Sequence, residues 1–425
     1  ELEMNDFLST SDIQLDRAKG DISWSKQKGG WLINAKQLQL SNPEITTNFD
    51  LSYLIGGPKQ PDQMTLDMEF IKANLATAYR YLPVSIDKET REYLSKAFEA
   101  GVIQNGSLHI KGDPNQVPFP KGTVGELTLN LPISKASFNP APLLPKSQGI
   151  WQAFNNVSGT IAMKQSTLSV DIDKASYKKV LLTDVKSQIP NLSAKNLTLL
   201  INGLVEGDGS EILEYLTASP VGIQQGSLVK DLTLTGPVNL DLGLKIPLSG
   251  NDDVSFDAKM TLPGNRAQWG EVPPLENLKG KIRITEVNPE FENVSANFLG
   301  GALKISSTTS SNGNTSFSIA GDINASFIKD YFSTNLKSQA NPALLSAMGG
   351  SAKYEGLINF NKSGSQTNLK LDLRNWASSA PIPAKKLAGS PMLGELTFKT
   401  YPSSKSNPIR ADWSGKLADQ YFLQG

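Results

Sequence analysis

The sequence contains no cysteine, which excludes disulfides and thiolate-bound metals. It has one histidine, His109, so a transition-metal site lacks its commonest ligand. No metal or other cofactor is expected. Net charge is also missing: 41 basic residues balance 41 acidic ones. Nucleic acid needs a basic surface to displace counterions, and anionic headgroups need a polybasic patch. Neither is provided, so any affinity for a membrane must come from apolar surface. Long apolar runs are absent too. The richest, around 197–205, is broken by Asn202 and Gly203 and falls far short of the roughly 18 residues of a membrane-crossing helix. The opening Glu1-Leu-Glu-Met4 is not a signal peptide. The expectation is a chain soluble by itself, or the interior of a longer protein.

Catalytic signatures are missing as well. There is no phosphate-binding G-x-x-x-x-G-K-[ST], no G-x-S-x-G and no H-E-x-x-H. His109 follows Leu108 on the polar side of an alternating run and reads as a surface residue. Asp171 and Asp173 share a strand face, as a glycosidase pair might, but alternation with Val170 and Ile172 makes them a solvated outer face. Glu206, Asp208 and Ser210 resemble a cation loop, yet Asp208 as a helix cap explains them more simply. The expectation is a protein that is not an enzyme.

What the sequence does have is period two. Val238, Leu240, Leu242, Leu244, Ile246 and Leu248 fall on one side, and Asn239, Asp241, Gly243 and Lys245 on the other. Alternate side chains of a strand point to opposite faces, so this segment has one dry face and one wet face. The pattern recurs in Leu127/Leu129/Leu131/Ile133, Leu168/Val170/Ile172 and Leu197/Leu199/Ile201. It returns in Leu232/Leu234, Phe256/Ala258/Met260/Leu262, Ile282/Ile284, Ile358/Phe360 and Leu369/Leu371, and it includes Phe317. Turn clusters at 250–253 and 311–314 separate some of these runs. Roughly twenty strands are expected.

Helices are few. One is expected from about Lys88 to Ala100, capped by Asp87 and stopped by Gly101. Another should start at Asp208 and end before Pro220, and a third has Asn341 as cap and Pro342 at its first position. Weaker turns are expected at Leu75–Leu82, Gln148–Phe154 and Ala325–Phe332. So few helices cannot cover so many one-sided strands. The sheet must close on a second sheet, on itself as a barrel, or on an apolar ligand.

Length alone suggests two or three domains. No low-complexity linker divides the chain, so residues 1–425 are read as one continuous β region, with joints near 139–149 and 207–222. The segments 101–112 and 221–230 each follow a helix. Both read as an apolar entry, a glycine turn and an alternating strand, which suggests stacked units.

The order of motifs resembles the AsmA-like envelope proteins, in particular the YhdP-type branch related to TamB. It is carried by Arg80-Tyr-Leu-Pro83, the helix after it, 101–112, Asp113 and Pro118-Phe119. It continues through Gly207–Leu216, Ser219-Pro-Val221, Leu240–Leu248, Thr261-Leu-Pro263, Gly300–Ile305 and the stretch 344–360. It covers about residues 70 to 400.

The resemblance implies an elongated, twisted antiparallel sheet curled into a hydrophobic groove, with the short helices at its rim. The family's role implies phospholipids as ligands, carried between inner and outer membranes. The setting would be the periplasm, with an inner-membrane anchor in the full-length protein and other envelope proteins as possible partners. The groove lining would then be Leu127, Leu129, Leu131, Leu168, Val170, Leu197, Leu199, Leu232, Leu234, Leu240, Leu242, Leu244, Phe256, Ala258, Ile282, Ile284, Phe317, Ile358 and Leu371. About twenty strands crossing such a rod at about 4.8 Å each would span on the order of 100 Å. The alternative is a structural or adhesive β-protein, a solenoid or sandwich array with a sealed core and no lipid.

Overall fold

The computed structural model describes residues 2–3, 12–27, 29–57, 60–225, 231–249, 254–270, 272–285, 289–309, 315–335, 342–361, 364–381, 385–400, 411–418 and 421–424. The turn clusters at 250–253 and 311–314, and the cap at Asn341, lie outside them. Among the described residues the fold is mostly β: an open antiparallel sheet of 22 strands, three further short strands outside it and a few short helices. Contacts divide the chain into two units.

The first unit holds residues 1–206, 215–223 and 241–256. Two short strands, β1 (Leu2–Glu3) and β2 (Asp12–Ile13), pair with each other, and among the described residues with no other strand. The main ladder begins with β3 (Arg17–Gln27), β4 (Gly30–Ser41), β5 (Ile45–Ile55) and β6 (Gln63–Asn74). It continues through β7 (Phe98–Gly112), β8 (Gly125–Phe138), β9 (Phe154–Lys164), β10 (Thr167–Tyr177), β11 (Val180–Ile189) and β12 (Thr198–Asp208). Each strand pairs antiparallel with the next.

The second unit holds residues 207–214, 224–240 and 257–425. Its strands are β13 (Leu232–Thr235), β14 (Pro237–Pro247), β15 (Ser255–Trp269), β16 (Leu275–Thr285), β17 (Pro289–Phe298) and β18 (Gly301–Thr309). After them come β19 (Thr315–Asn324), β20 (Met348–Asn361), β21 (Gly364–Asp372), β22 (Trp376–Ser378), β23 (Leu393–Thr400), β24 (Ala411–Leu417) and β25 (Tyr421–Gln424). β21 pairs directly with β23, while β22 pairs with the start of β20. The first part of β15 and the second part of β14 belong to the first unit.

The helices are α1 (Lys88–Ala97), α2 (Gly209–Ala218), α3 (Pro220–Gln225), α4 (Ala325–Asn335) and α5 (Pro342–Ala347). A 3₁₀ segment, Leu75–Tyr81, precedes α1. The 3₁₀ segment and α1 follow β6, and α2 and α3 follow β12, two strands that run the same way in the alternating ladder. Asp87 caps α1, accepting from the Thr90 backbone N–H at 2.7 Å, and Asp208 accepts from the Ser210 N–H at 2.9 Å.

Several sequence expectations need correction. α1 ends at Ala97, not near Ala100, because Phe98 already pairs with Phe138 in the sheet. Of the turn expected at Gln148–Phe154 only Gln148 is helical, as the last residue of a 3₁₀ segment, Lys146–Gln148, and Phe154 opens β9. The supposed repeat also fails. Residues 101–112 lie in β7, whereas 221–225 belong to the helix Pro220–Gln225, which Pro at its first position favours; residues 226–230 lie outside the described ones.

A line of bulges crosses the first unit. The ladders shift register at Ala35/Leu38, Ile103/Ser107, Ile133/Ala136, Ile172/Lys174 and Thr183/Lys186. Gln37, Asn105, Lys135 and Asp184 take φ near +50° there. Asp50 Oδ1 accepts the Gln37 N–H freed at one bulge, at 2.7 Å. Each extra residue adds local twist and moves the alternation by one. The apolar side of β8 is therefore Leu127, Leu129, Leu131 and Ile133 before the bulge, and Ala136 and Phe138 after it. In the second unit β16 slips likewise between Glu276 and Lys281, where Gly280 has φ +132°.

Candidate functional site

Directly opposed residues of an antiparallel pair share a face, so the registers define rows across the sheet. One row in the first unit runs Leu38, Phe49, Met68, Leu108, Leu129, Met163, Leu168, Ile189. Every member is apolar, and every one is only half-buried. The row crosses eight strands, about 30 Å at about 4.8 Å per strand. Beside it runs Leu131, Ile161, Val170, Ser187, Ile201, interrupted only by Ser187.

The other face of the same strands is polar. Glu69, Ser107 and Asn130 form one row, and Asp67, His109 and Thr128 the next. His109 Nδ1 lies 2.7 Å from Asp67 Oδ1, which places the lone histidine in a surface pair. Asp171 stands opposite Lys186 on this face.

The apolar face is not uniform. Toward the helical edge it is fully covered. Ala73, Leu75, Ile103, Ile133, Ala136, Val157 and Ala175 form one core cluster, none more than 6 % exposed. The segment after β8 and α2 close the same edge with aromatic rings. Tyr215 packs against Trp151, Phe154 and Tyr177 at centroid distances of 5.6, 5.4 and 5.0 Å. Burial there raises the Tyr215 pKa well above its ordinary value. Beyond the bulges, among the described residues, no helix covers the rows, and the half-buried side chains begin.

The second unit repeats the scheme. A row of Val294, Ile305, Ile319, Gly356, Leu369 and Leu396 lies on the apolar face. Its polar counterpart is a charge ladder of Lys304, Ala320, Glu355, Lys370, Glu395 and Lys416. Arg283 bridges Asp257 through Nε–Oδ1 at 2.8 Å and Nη2–Oδ2 at 2.9 Å. That hydrogen bond holds the Asp257 carboxyl below its usual range. Tyr354, 6 % exposed on the apolar face, has its hydroxyl pushed up to about 12 by burial first and Asp322 second.

The residues singled out from sequence fall as follows. Leu129, Leu131, Leu168, Val170 and Leu199 are half-buried in the open rows of the first unit. Leu127 stands on the same face but is 5 % exposed. Leu197 lies just before β12, where its N–H donates to Ser249 Oγ at 2.7 Å. Leu240, Leu242 and Leu244 alternate half-buried with exposed Asp241 and Lys245. Leu232 and Leu234 oppose Trp269 and Ala267. Ala258 opposes Ile284, and Ile282 lies between Met260 and Phe291; Phe256 shares the Ala258 face. Phe317 and Leu371 are on the apolar face but covered, at 4 % and 8 %; Phe317 meets Phe291 edge-on at 4.8 Å and opposes Ile358.

Sequence reasoning missed the part of the row formed by Leu38, Phe49 and Met68. The signal was there: Phe49/Leu51/Tyr53 and Met64/Leu66/Met68 alternate as cleanly as the runs that were noticed.

Among the described residues no group of acidic or histidine side chains could hold a metal ion, and no helix is long and apolar enough to cross a membrane. No solved structure matches the fold. A curated relative, the intermembrane phospholipid transporter YhdP of Escherichia coli (strain K12), is 26% identical over 393 residues, 88% of this chain. The chain covers 29% of that relative's length. The family model described as YhdP protein matches residues 1–422, and the chain belongs to that family.

Proposed function

We propose that this chain carries phospholipid acyl chains along its apolar face, without catalysis, as part of a lipid path between the inner and outer membranes. The observation that carries the reading is the half-buried row from Leu38 to Ile189. A sealed core would bury such a row; an apolar ligand explains why it stays open. The relative's transport of phospholipids between membranes supports that ligand class. An acyl chain in water loses about 0.8 kcal/mol per CH₂, on the order of 13 kcal/mol for a 16-carbon tail. A continuous apolar strip lowers that barrier while the headgroup stays wet, and it needs no reactive group. The lining residues are Leu129, Leu131, Leu168, Val170, Leu242 and Leu244 in the first unit, and Leu240, Ile282 and Ile284 in the second. The setting is the periplasm, and membrane attachment and contacts with other envelope proteins belong to the full-length protein.

The test is a photo-crosslinking residue at position 129 or 130 of the full-length protein, with lipid adducts read by mass spectrometry. Position 129 should capture phospholipid and position 130, on the polar face, should not. Equal capture at both, or none at either, would overturn the reading.

A further inference from the structure

The segment 113–124, between β7 and β8, does something to the apolar face that no helix does. Phe119 is 1 % exposed. Its ring fills the space where side chains of Gly112 and Gly125 would stand: a Cβ on either glycine would meet the Phe119 ring. These glycines are cross-strand partners, and Gly112 continues the row of Ile33, Tyr53 and Met64. Phe119 therefore supplies, from a loop, the apolar group that two strands omit. The loop is held to this task. Asp113 Oδ1 accepts the Asn115 N–H at 3.0 Å, and Thr123 Oγ1 donates to the Pro120 carbonyl at 2.7 Å. Phe119 sits at φ +57°, a left-handed conformation that bulky residues rarely adopt. Such an outlier is retained where the surroundings over-determine it. The next row inward contains Leu127, 5 % exposed, and the row after it contains half-buried Leu129.

We propose that Phe119 is a fixed edge stop, a specificity-determining residue that occupies a place an acyl chain would otherwise take and sets the border of the lipid path on β8 between Leu127 and Leu129. The proposal rests on the lipid reading of the apolar face. Without the ring, the Gly112–Gly125 floor would open a side pocket, and lipid would spread toward the strand ends.

The experiment places a diazirine-bearing aliphatic residue at 127 or 129 in the full-length protein, loaded from vesicles of phosphatidylethanolamine with phosphatidylglycerol. In the native protein 129 should be labelled and 127 should stay at background. Phe119→Ala, and separately Gly125→Ala, whose methyl group displaces the ring, should raise labelling at 127 at least tenfold and leave 129 unchanged. Equal labelling at 127 and 129 in the native protein would overturn the stop and leave the lipid reading standing. So would background labelling at 127 in a folded Phe119→Ala protein. No labelling at 129 would overturn both. If neither variant folds, the native contrast between 127 and 129 decides.

Discussion

Leu129→Arg separates an open apolar path from a sealed core. Leu129 lies between Leu108 and Met163, half-buried, with the polar Asn130 as its neighbour in sequence. Complete burial of a leucine side chain is worth about 1.5–3 kcal/mol, so half of that, about 1 kcal/mol, is lost with the leucine. The arginine stem is long enough to lie along the apolar face with its guanidinium in water, so folding should survive. Lipid passing the site meets a charge. An unpaired charge in apolar surroundings costs several kcal/mol, and about 3 kcal/mol on a barrier is about a hundredfold in rate. The control is Val157→Arg. Val157 is 3 % exposed opposite Ala136 in the covered strip, with no route to water. Burying a charge there costs a large part of the 5–15 kcal/mol that stabilises a domain. The assays are thermal unfolding of each variant and phospholipid transfer by the full-length protein. Leu129→Arg should fold and fail to transfer, whereas Val157→Arg should not fold. If both unfold alike, the open rows are a core. If Leu129→Arg folds and transfers normally, lipid does not pass Leu129.

Gly280→Ala should destabilise the second unit by about 1 kcal/mol or more, because φ is +132° and the new methyl group meets the backbone of Asn293 and Val294; faster amide exchange in β16 and β17 would show it. Asp87→Ala should cost α1 about 1 kcal/mol at neutral pH through loss of its cap. Bonds from the Thr90 N–H and then the Thr90 hydroxyl hold the Asp87 pKa below its ordinary value. That stabilisation is present above the ordinary carboxylate pKa and disappears as pH falls through the depressed one. The difference between variant and native melting temperatures should therefore close at acid pH. Asn130→Arg, on the polar face, should leave both folding and lipid capture unchanged, and a loss of capture would show that the two faces are not independent.

The sequence by itself determined the class of fold and the two-faced character of its strands. Alternation such as Val238 to Leu248 is a local property, since consecutive side chains of a strand point opposite ways whatever the strand pairs with. The absence of cysteine and of net charge bounded the chemistry in the same local way. Helix caps at Asp87 and Asp208 were legible because a cap is a contact between near neighbours in sequence. What only the tertiary structure decided was register. The noticed runs stopped at Ile133, Ile172 and Leu262, which are near the bulges, because one extra residue reverses the phase and hides the remainder of the strand. Whether Leu127, Phe317 and Leu371 are open or covered depends on what lies over them, and Phe119 reaches its place from a loop with no periodicity. The row from Leu38 to Ile189 joins residues up to 151 positions apart in the chain. Nothing local marks such neighbours: they become one surface only when the strands pair.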